Sequence, residues 1–429
     1  MALGFLLLPE ARRHLPLFLL LFLFGALVSL LAAQSLSASG PGFLLGCGAI
    51  LRATVLLRTP ELSEDVYRYL WDGRVAREGI SPYRYAPADP ALAHISSNLS
   101  ARVAHREFLT VYPPAAQAVF RIFGGGENVL LLKTFLAAAD LAVILLLFYG
   151  ERQTGAFAAA LYAFHPLPLM EVAGEGHLDG LGVALLLASL IFLRRDRRFS
   201  AGLALALSFL TKYVSLAAVL PIFRRGRVTC LAAFLLLSST LWLAAGRGGA
   251  GPAGDFGQFA MRWSFNSVLY PAAVRAMEVT ELPERAKEVF IDWKERHHDP
   301  PWSPRVFPFF YPAFFARLLL GVLLAATLGV IAWRSRDLEE GVFASIAALM
   351  IFSPTLHPWY LIWILPFAAW KRSPAFLYLS FAVPVAYFLL YPVPGVTPAM
   401  VLAAEYTPFA VLLLWRLRGS RPAAAAGTA

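Results

Sequence analysis

The sequence predicts an all-α polytopic membrane protein, and three observations carry that expectation. Of its 429 residues, 59% are hydrophobic and only 15% charged, whereas soluble domains carry about 25% charged residues. The apolar residues gather in runs close to the roughly 20 residues that cross a bilayer. Between the runs stand clusters of arginine and lysine, and the chain holds 37 Lys and Arg against 27 Asp and Glu. In a chain of this kind such an excess marks cytoplasmic loops, not nucleic-acid binding.

In order, the spanning runs are expected near 14–34, 41–58, 128–149, 155–172, 178–194, 228–246, 311–333, 340–353, 358–370, 374–392 and 399–417. The first is longer than the apolar core of a signal peptide, so it reads as a retained helix. The stretch 199–224 is apolar but carries Lys212 in its middle. A charge at mid-bilayer costs a few kcal/mol or more, which predicts two short helices meeting at Lys212 near a membrane surface. About 11–13 transmembrane helices result, in a single domain over 1–421 followed by a disordered tail at 422–429. The two cysteines, Cys47 and Cys230, lie in apolar runs and form no disulfide framework or metal spacing.

Orientation follows from the basic clusters: Arg194, Arg195, Arg197 and Arg198; Arg224, Arg225 and Arg227; Arg334 and Arg336; Lys371 and Arg372; Arg416, Arg418 and Arg421. With a hairpin at Lys212 all of them fall on one side, expected to be cytoplasmic. The segments 59–127 and 247–310 then form extracytoplasmic loops, joined on that face by the turns at 174–179 and 353–358. Arg12 and Arg13 conflict with this scheme, because a spanning 41–58 sends the N-terminus outside and they favour the inside.

The stretch "ELSEDVYRYLWDGRVAREGISPYRYAP" (61–87) concentrates charge and aromatics directly after the second run. It reads as an amphipathic helix from Ser63 to Arg77, ended at Gly79, lying along the outer membrane surface. Asp65, Tyr69 and Asp72 recur at i, i+4 and i+7 on one face. A plainer reading pairs Glu64 with Arg68 and Arg68 with Asp72 as i,i+4 ion pairs. Lys212 could hold an anion at the hairpin turn or simply snorkel. His357, with Trp359 and Tyr360, could do the same or belong to an interfacial aromatic belt. Glu171, inside an apolar helix, points to a polar cavity. "GEGHLD" sets Glu175, His177 and Asp179 in one turn. Those are proper metal ligands, but no second ligand cluster accompanies them, so a divalent metal is the lesser reading and the turn is expected to orient sugar hydroxyls or support the first loop. The charged helix at 281–298 reads as a solvated cover.

"SEDVYRYLWDGRVAREGISPYRYAP" resembles the first extracytoplasmic loop of the C-type integral-membrane glycosyltransferases, nearest to bacterial mannosyltransferase-like members that use polyprenyl-phosphate sugars. The resemblance continues at "TVYPPAAQAVF", "FHPLPLMEVAGEGHLDGLGVALLL", "ALSFLTKYVSLAAVLP", "WSFNSVLY" and "FSPTLHPWYLIWILP", in that order. It implies the C-type glycosyltransferase fold in a bacterial inner membrane. It also implies transfer of a hexose, mannose foremost, from a polyprenyl-phosphate donor to a hydroxyl of a glycan, lipid or protein acceptor. The family's first-loop acidic residue falls on Asp65 as general base, with Glu64 the close alternative. A departing phosphate needs cations rather than a general acid: Lys212, His357, Arg68 and Arg74 are the candidates. Tyr69, Asp72, Tyr83, Glu171, His177, Asp179, Asn266, Trp359 and Tyr360 are expected around the sugar and acceptor. The rival functions are a transporter or flippase for a lipid-linked sugar and an oligosaccharide ligase or polymerase using a lipid diphosphate. Charges at the midplane and repeated halves would favour a transporter, and neither is visible in the sequence.

Overall fold

Helices form where the apolar runs predict them, and prolines decide how long each one lasts. The computed structural model describes residues 1–419 except Pro9, Ser96, Arg152, 225–226 and 247–253. Arg225, Arg421, the start of the second loop and the tail at 422–429 therefore lie outside the described residues. The protein is 75% helical, with no strand among the described residues, an all-α polytopic membrane protein.

Five helices are long and apolar enough to cross a bilayer: Leu15–Ser35, Val129–Gly150, Val228–Gly246, Pro312–Arg334 and Pro398–Arg418. A sixth crossing is a pair, Gly155–Phe164 and Pro166–Gly174, bent by 44°. Pro166 and Pro168 lack the N–H groups that a straight helix would use there. The other expected runs are helical but shorter or segmented, as in Pro41–Leu56, Asp179–Arg194 and Leu338–Phe352. The run at 358–370 is a 3₁₀ turn, Pro358–Trp363, leading into Leu365–Trp370, and the run at 374–392 breaks at Val383–Ala386 around Pro384. Among the described residues, five helices, or six with the bent pair, reach spanning length unbroken, and the remaining expected runs are present as shorter or segmented apolar helices. The apolar stretch at 199–224 divides as expected, into Arg198–Thr211 and a helical turn from Tyr213, with Lys212 extended between them.

Small residues let the helices approach. Ser208 Oγ donates to the carbonyl of Gly182 at 2.7 Å and Ser189 Oγ to that of Ala201 at 2.9 Å. Such contacts are a main source of cohesion between helices in lipid, where burial of apolar surface supplies little. A fully buried ion pair joins Arg52 to Asp140, 2.6 Å apart, and Tyr162 donates to the same carboxylate at 2.5 Å. Leu17, Leu20, Phe24 and Leu27 on the first long helix and Leu318, Val322 and Val330 on Pro312–Arg334 stay exposed, as lipid-facing residues would.

The basic clusters converge at one end of the bundle. Arg194 pairs with Glu339 at 2.7 Å and Glu151 at 3.3 Å, Arg224 donates to the Ser335 carbonyl, and Lys371 pairs with Asp337. Asp179 begins the helix that ends at Arg194, so it stands at the opposite end. Residues 1–13 belong to that opposite end too. Arg58 donates to the carbonyls of Phe5 and Leu8, at 2.7 and 2.8 Å, and Arg12 pairs with Glu64 at 2.9 Å. Arg12 and Arg13 are thus paired, with Glu64 and Glu10, and are not bare positive charges.

The helix expected at 63–77 runs from Asp65 to Arg77, with the Asp65 N–H donating to Ser63 Oγ. Gly79 follows at φ +76, the left-handed geometry that ends helices. The helix is not the half-exposed amphipathic one expected: Val66 through Gly73 are all buried, because Pro114–Phe123 and other parts of the first loop cover it. Gly73 meets the Phe120 backbone so closely that a Cβ would overlap its carbonyl oxygen. Gly73→Ala should destabilise the fold by about 1–3 kcal/mol, the usual cost of overpacking, seen as a lower unfolding midpoint in detergent. An unchanged midpoint would mean that these two helices do not cross there.

Candidate functional site

The end opposite the basic clusters is roofed by two loops that interlock. Phe265 N–H donates to the Pro354 carbonyl at 3.0 Å and Leu356 N–H to the Phe265 carbonyl at 2.8 Å. Leu109 N–H donates to Asp255 at 2.6 Å, so the second loop also grips the first. Beneath this roof four rings stack in a column. Phe265 lies on His357 (4.6 Å), His357 on Trp359 (4.5 Å) and Trp359 on His177 (4.0 Å).

At the foot of the column His177 sits between two carboxylates. Its Nδ1 is 3.7 Å from Asp65 and its Nε2 is 3.5 Å from Glu171, too long for hydrogen bonds. Burial, then the charges of Lys212 and His357, hold the His177 imidazole well below the usual histidine range, so it is neutral. Glu171 accepts from the Tyr387 hydroxyl at 2.8 Å. The Asp65 side chain is 33% exposed. Burial raises its pKa, while Lys212 and the Tyr112 phenol pull it back down.

Lys212 is not an uncompensated cation. Its ammonium lies 2.8 Å from each oxygen of fully buried Asp179, above the Tyr360 ring, and Asp179 also accepts from Trp363 Nε1 at 2.7 Å. Burial and the Lys212 charge depress His357 to about 3, so it could meet a phosphate only as a neutral N–H donor.

The structure therefore gathers Asp65, Glu171, His177, Asp179, Lys212, His357, Trp359 and Tyr360. Tyr69 stands just behind this group, edge-on to Tyr112, whose phenol reaches Asp65, and the other candidates sit elsewhere. Arg68 is committed to Asp72 at 2.8 Å and to the Phe108 carbonyl, and Asp72 also accepts from Gln117. The plainer ion-pair reading thus holds for Arg68 with Asp72 but not for Glu64, whose partner is Arg12. Arg74, nine residues along the helix from Asp65, pairs with Glu127. Tyr69 is buried against Phe120 and Tyr112, and Tyr83 donates to the Tyr112 carbonyl at 2.8 Å. Asn266 donates to Glu405 at 2.8 Å and ties the second loop to the last helix. Among the described residues no group of three or more His, Cys, Asp or Glu is arranged to hold a metal ion.

Of the roles the sequence left open for Glu175, support of the first loop matches its contacts, which set Asp65 in place. Glu175 Oε2 accepts from the backbone N–H groups of Glu61, Leu62 and Ser63, at 2.8, 2.8 and 3.2 Å. Lys133 braces the same turn of chain by donating to the carbonyls of Leu56 and Arg58. A lysine inside an apolar run was the signal available for it. Gly176, at φ +84, lets the turn lie against Val66.

Comparison with protein families matches residues 17–224 to an alpha-(1->6)-mannopyranosyltransferase N-terminal domain and residues 314–418 to the MptB C-terminal domain. The chain belongs to this mannosyltransferase-like family of membrane glycosyltransferases. Comparison with curated proteins and with solved structures finds no match. Both matched regions of the mannosyltransferase build the one site, since Asp65, His177, Asp179 and Lys212 come from the first and His357, Trp359 and Trp363 from the second.

Hydrogen bonds to a charged group are worth about 1.5–3 kcal/mol each. Glu175→Gln removes that charge from three amides. Amide hydrogen exchange at Glu61, Leu62 and Ser63 should then speed up by about tenfold or more, ahead of the rest of the 65–77 helix. Unchanged protection would mean that other contacts hold this segment.

Proposed function

We propose that this mannosyltransferase moves mannose from a polyprenyl-phosphate donor to an acceptor hydroxyl on the extracytoplasmic face, with inversion. The observation that carries the reading is Asp65: a carboxylate with a raised pKa, partly open, beside His177 and in the field of a held ammonium. The extracytoplasmic side is inferred from the convergence of the basic clusters at the far end.

In the proposed step the acceptor O–H proton passes to Asp65 as the oxygen bonds to the anomeric carbon. The bond from that carbon to the phosphate oxygen breaks, and its electron pair leaves with polyprenyl phosphate. Attack opposite the leaving group inverts the centre, as in direct displacement by inverting glycosidases. Lys212 keeps at least one N–H beyond those bound to Asp179 and offers it to the phosphate. Neutral His177, beside Asp65, does not compete for the proton. The exposed apolar faces of the long helices suit the polyprenyl tail.

Asp65→Asn keeps size and most hydrogen bonding but cannot take the proton. Turnover is expected to fall by about two to four orders of magnitude, the usual worth of a general base, with donor binding little changed. Glu64→Gln should cost no more than about tenfold by the same comparison. The base works deprotonated, so activity should be lost as pH falls through the raised Asp65 pKa, above the range of an ordinary aspartate. Purified variants compared at equal folded amount for release of polyprenyl phosphate decide the matter. Near-normal turnover in Asp65→Asn would remove it as the base.

Lys212 needs a paired design. Lys212→Ala alone strands buried Asp179, at a cost of about 3–5 kcal/mol, so loss of activity would say little. Adding Asp179→Asn removes the stranded charge. If Lys212 binds the donor phosphate, the double variant should fold yet show donor KM raised about tenfold or more, as for loss of a charged hydrogen bond. A double variant with wild-type donor KM would leave Lys212 a purely structural partner of Asp179.

A further inference from the structure

Residues 60–64 have no regular secondary structure, yet they decide where the helix that opens at Asp65 begins. All four backbone polar groups of Glu61 and Leu62 are held by side chains from distant parts of the chain. Glu175 takes both N–H groups. The two carbonyls go to residues that the transfer step above does not use. That of Glu61 accepts from Arg12 Nε, and that of Leu62 from the Tyr391 hydroxyl at 3.2 Å. Arg12 Nη2 also reaches the Glu64 carboxylate at 2.9 Å, one residue before Asp65.

Arg12 and Tyr391 are themselves joined. The guanidinium lies over the Tyr391 ring, 4.9 Å from its centroid. One helical turn earlier, Tyr387 meets Phe18 edge-on at 6.1 Å and donates to Glu171. Two contacts, Arg12 on Tyr391 and Phe18 on Tyr387, thus lock the chain entering the first long helix to the segment that carries both tyrosines. Those tyrosines hold the carbonyl three residues before Asp65 and the carboxylate beside His177. Arg12 lies ahead of the first family-matched region, which begins at residue 17.

We propose that Arg12 is a positioning residue: with Tyr391 it fixes the 61–64 peptide, and through it the Asp65 carboxylate relative to His177. The proposal rests on the proposed function for the role of Asp65 as base. Glu175 ties this peptide to one neighbouring turn, and Arg12 and Tyr391 tie it to two further parts of the chain. A misplacement of about 1 Å can cost on the order of 100-fold in rate. An ion pair as open as Arg12 with Glu64, 35% and 41% exposed, adds little to stability. The contribution of Arg12 is therefore expected in turnover more than in folding.

The test uses the full chain in detergent with polyprenyl-phosphate mannose as donor. Arg12→Met keeps an apolar stem and removes the donors. It should lower kcat by about ten- to a hundredfold, with donor KM and the unfolding midpoint close to wild type. Tyr391→Phe keeps the ring beneath Arg12 and should lower kcat by about two- to tenfold, the worth of one hydrogen bond. In the double variant the losses should fall short of their product, because both act on one peptide. Arg13→Met, which removes only a pair with exposed Glu10, should behave as wild type. Normal kcat in Arg12→Met, a donor KM that rises as kcat falls, or losses that multiply would overturn the role. If Arg12→Met does not fold, Tyr391→Phe decides: lowered kcat at unchanged KM supports the role, and normal kcat overturns it. A wild-type protein that does not use this donor removes the proposed function instead, and amide exchange at Asp65 and Val66 then reads the brace. Exchange about tenfold faster in Arg12→Met than in Arg13→Met supports it, in keeping with lost charged hydrogen bonds. Equal exchange overturns it.

Discussion

The Glu175 carboxylate and the three amides it binds form the constraint on which the site depends. Residues 61–63 precede the first helix of the loop, so their N–H groups have no helical partner, and a buried donor without one costs about 1–3 kcal/mol. A buried carboxylate has the opposite need, and the two are met together. Arg58 and Lys133 surround the junction with positive charge, and Arg58 extends the same network to the N-terminal segment. The first loop is therefore fastened at its root to the turn that carries His177 and Asp179. Asp65, two residues after the last bound amide, inherits its position from buried electrostatics rather than from loop conformation.

The buried polar groups divide into two populations. Arg52, Asp140 and Tyr162, deep among the helices, satisfy one another and neighbouring carbonyls. At the roofed end, His177 Nδ1 and Nε2, Glu171 Oε2, His357 Nδ1 and Asn266 Oδ1 are buried without a hydrogen-bond partner among the described residues. Folded proteins leave few such atoms, and each is a cost to stability.

Much of this was legible in the sequence, for identifiable reasons. Long apolar runs report helices directly, and the charge at Lys212 foretold a break, because a lysine at mid-bilayer is too expensive to leave in a straight span. The clustering of basic residues at one end followed from their spacing alone. Span lengths were less legible: Pro166, Pro358 and Pro384 bend or segment runs that hydropathy counts as whole. Side-chain partners were least legible. Arg68 and Arg74 carry the right charge for a phosphate, but Asp72 and Glu127 claim them, the latter from more than fifty residues away. The hairpin at Lys212 was foreseen, yet its counter-charge Asp179 lies thirty-three residues off and was read as a sugar ligand. Arg12 looked like a topological anomaly until its glutamates came into view.

The two matched regions meet through contacts that neither could make alone. Trp363 of the second donates to Asp179 of the first, and that carboxylate holds Lys212. Trp359 of the second covers His177 of the first, and Phe265, from the segment between them, closes the column from above. These rings exclude water from one side of Asp65 while the other side stays open. Partial burial raises the carboxylate's affinity for a proton, and the nearby ammonium limits the rise. A base must be basic enough to accept a proton in the transition state yet remain ionised beforehand. For Asp65 as the proposed base, burial supplies the first requirement and the Lys212 ammonium, held at the junction of the two regions, the second.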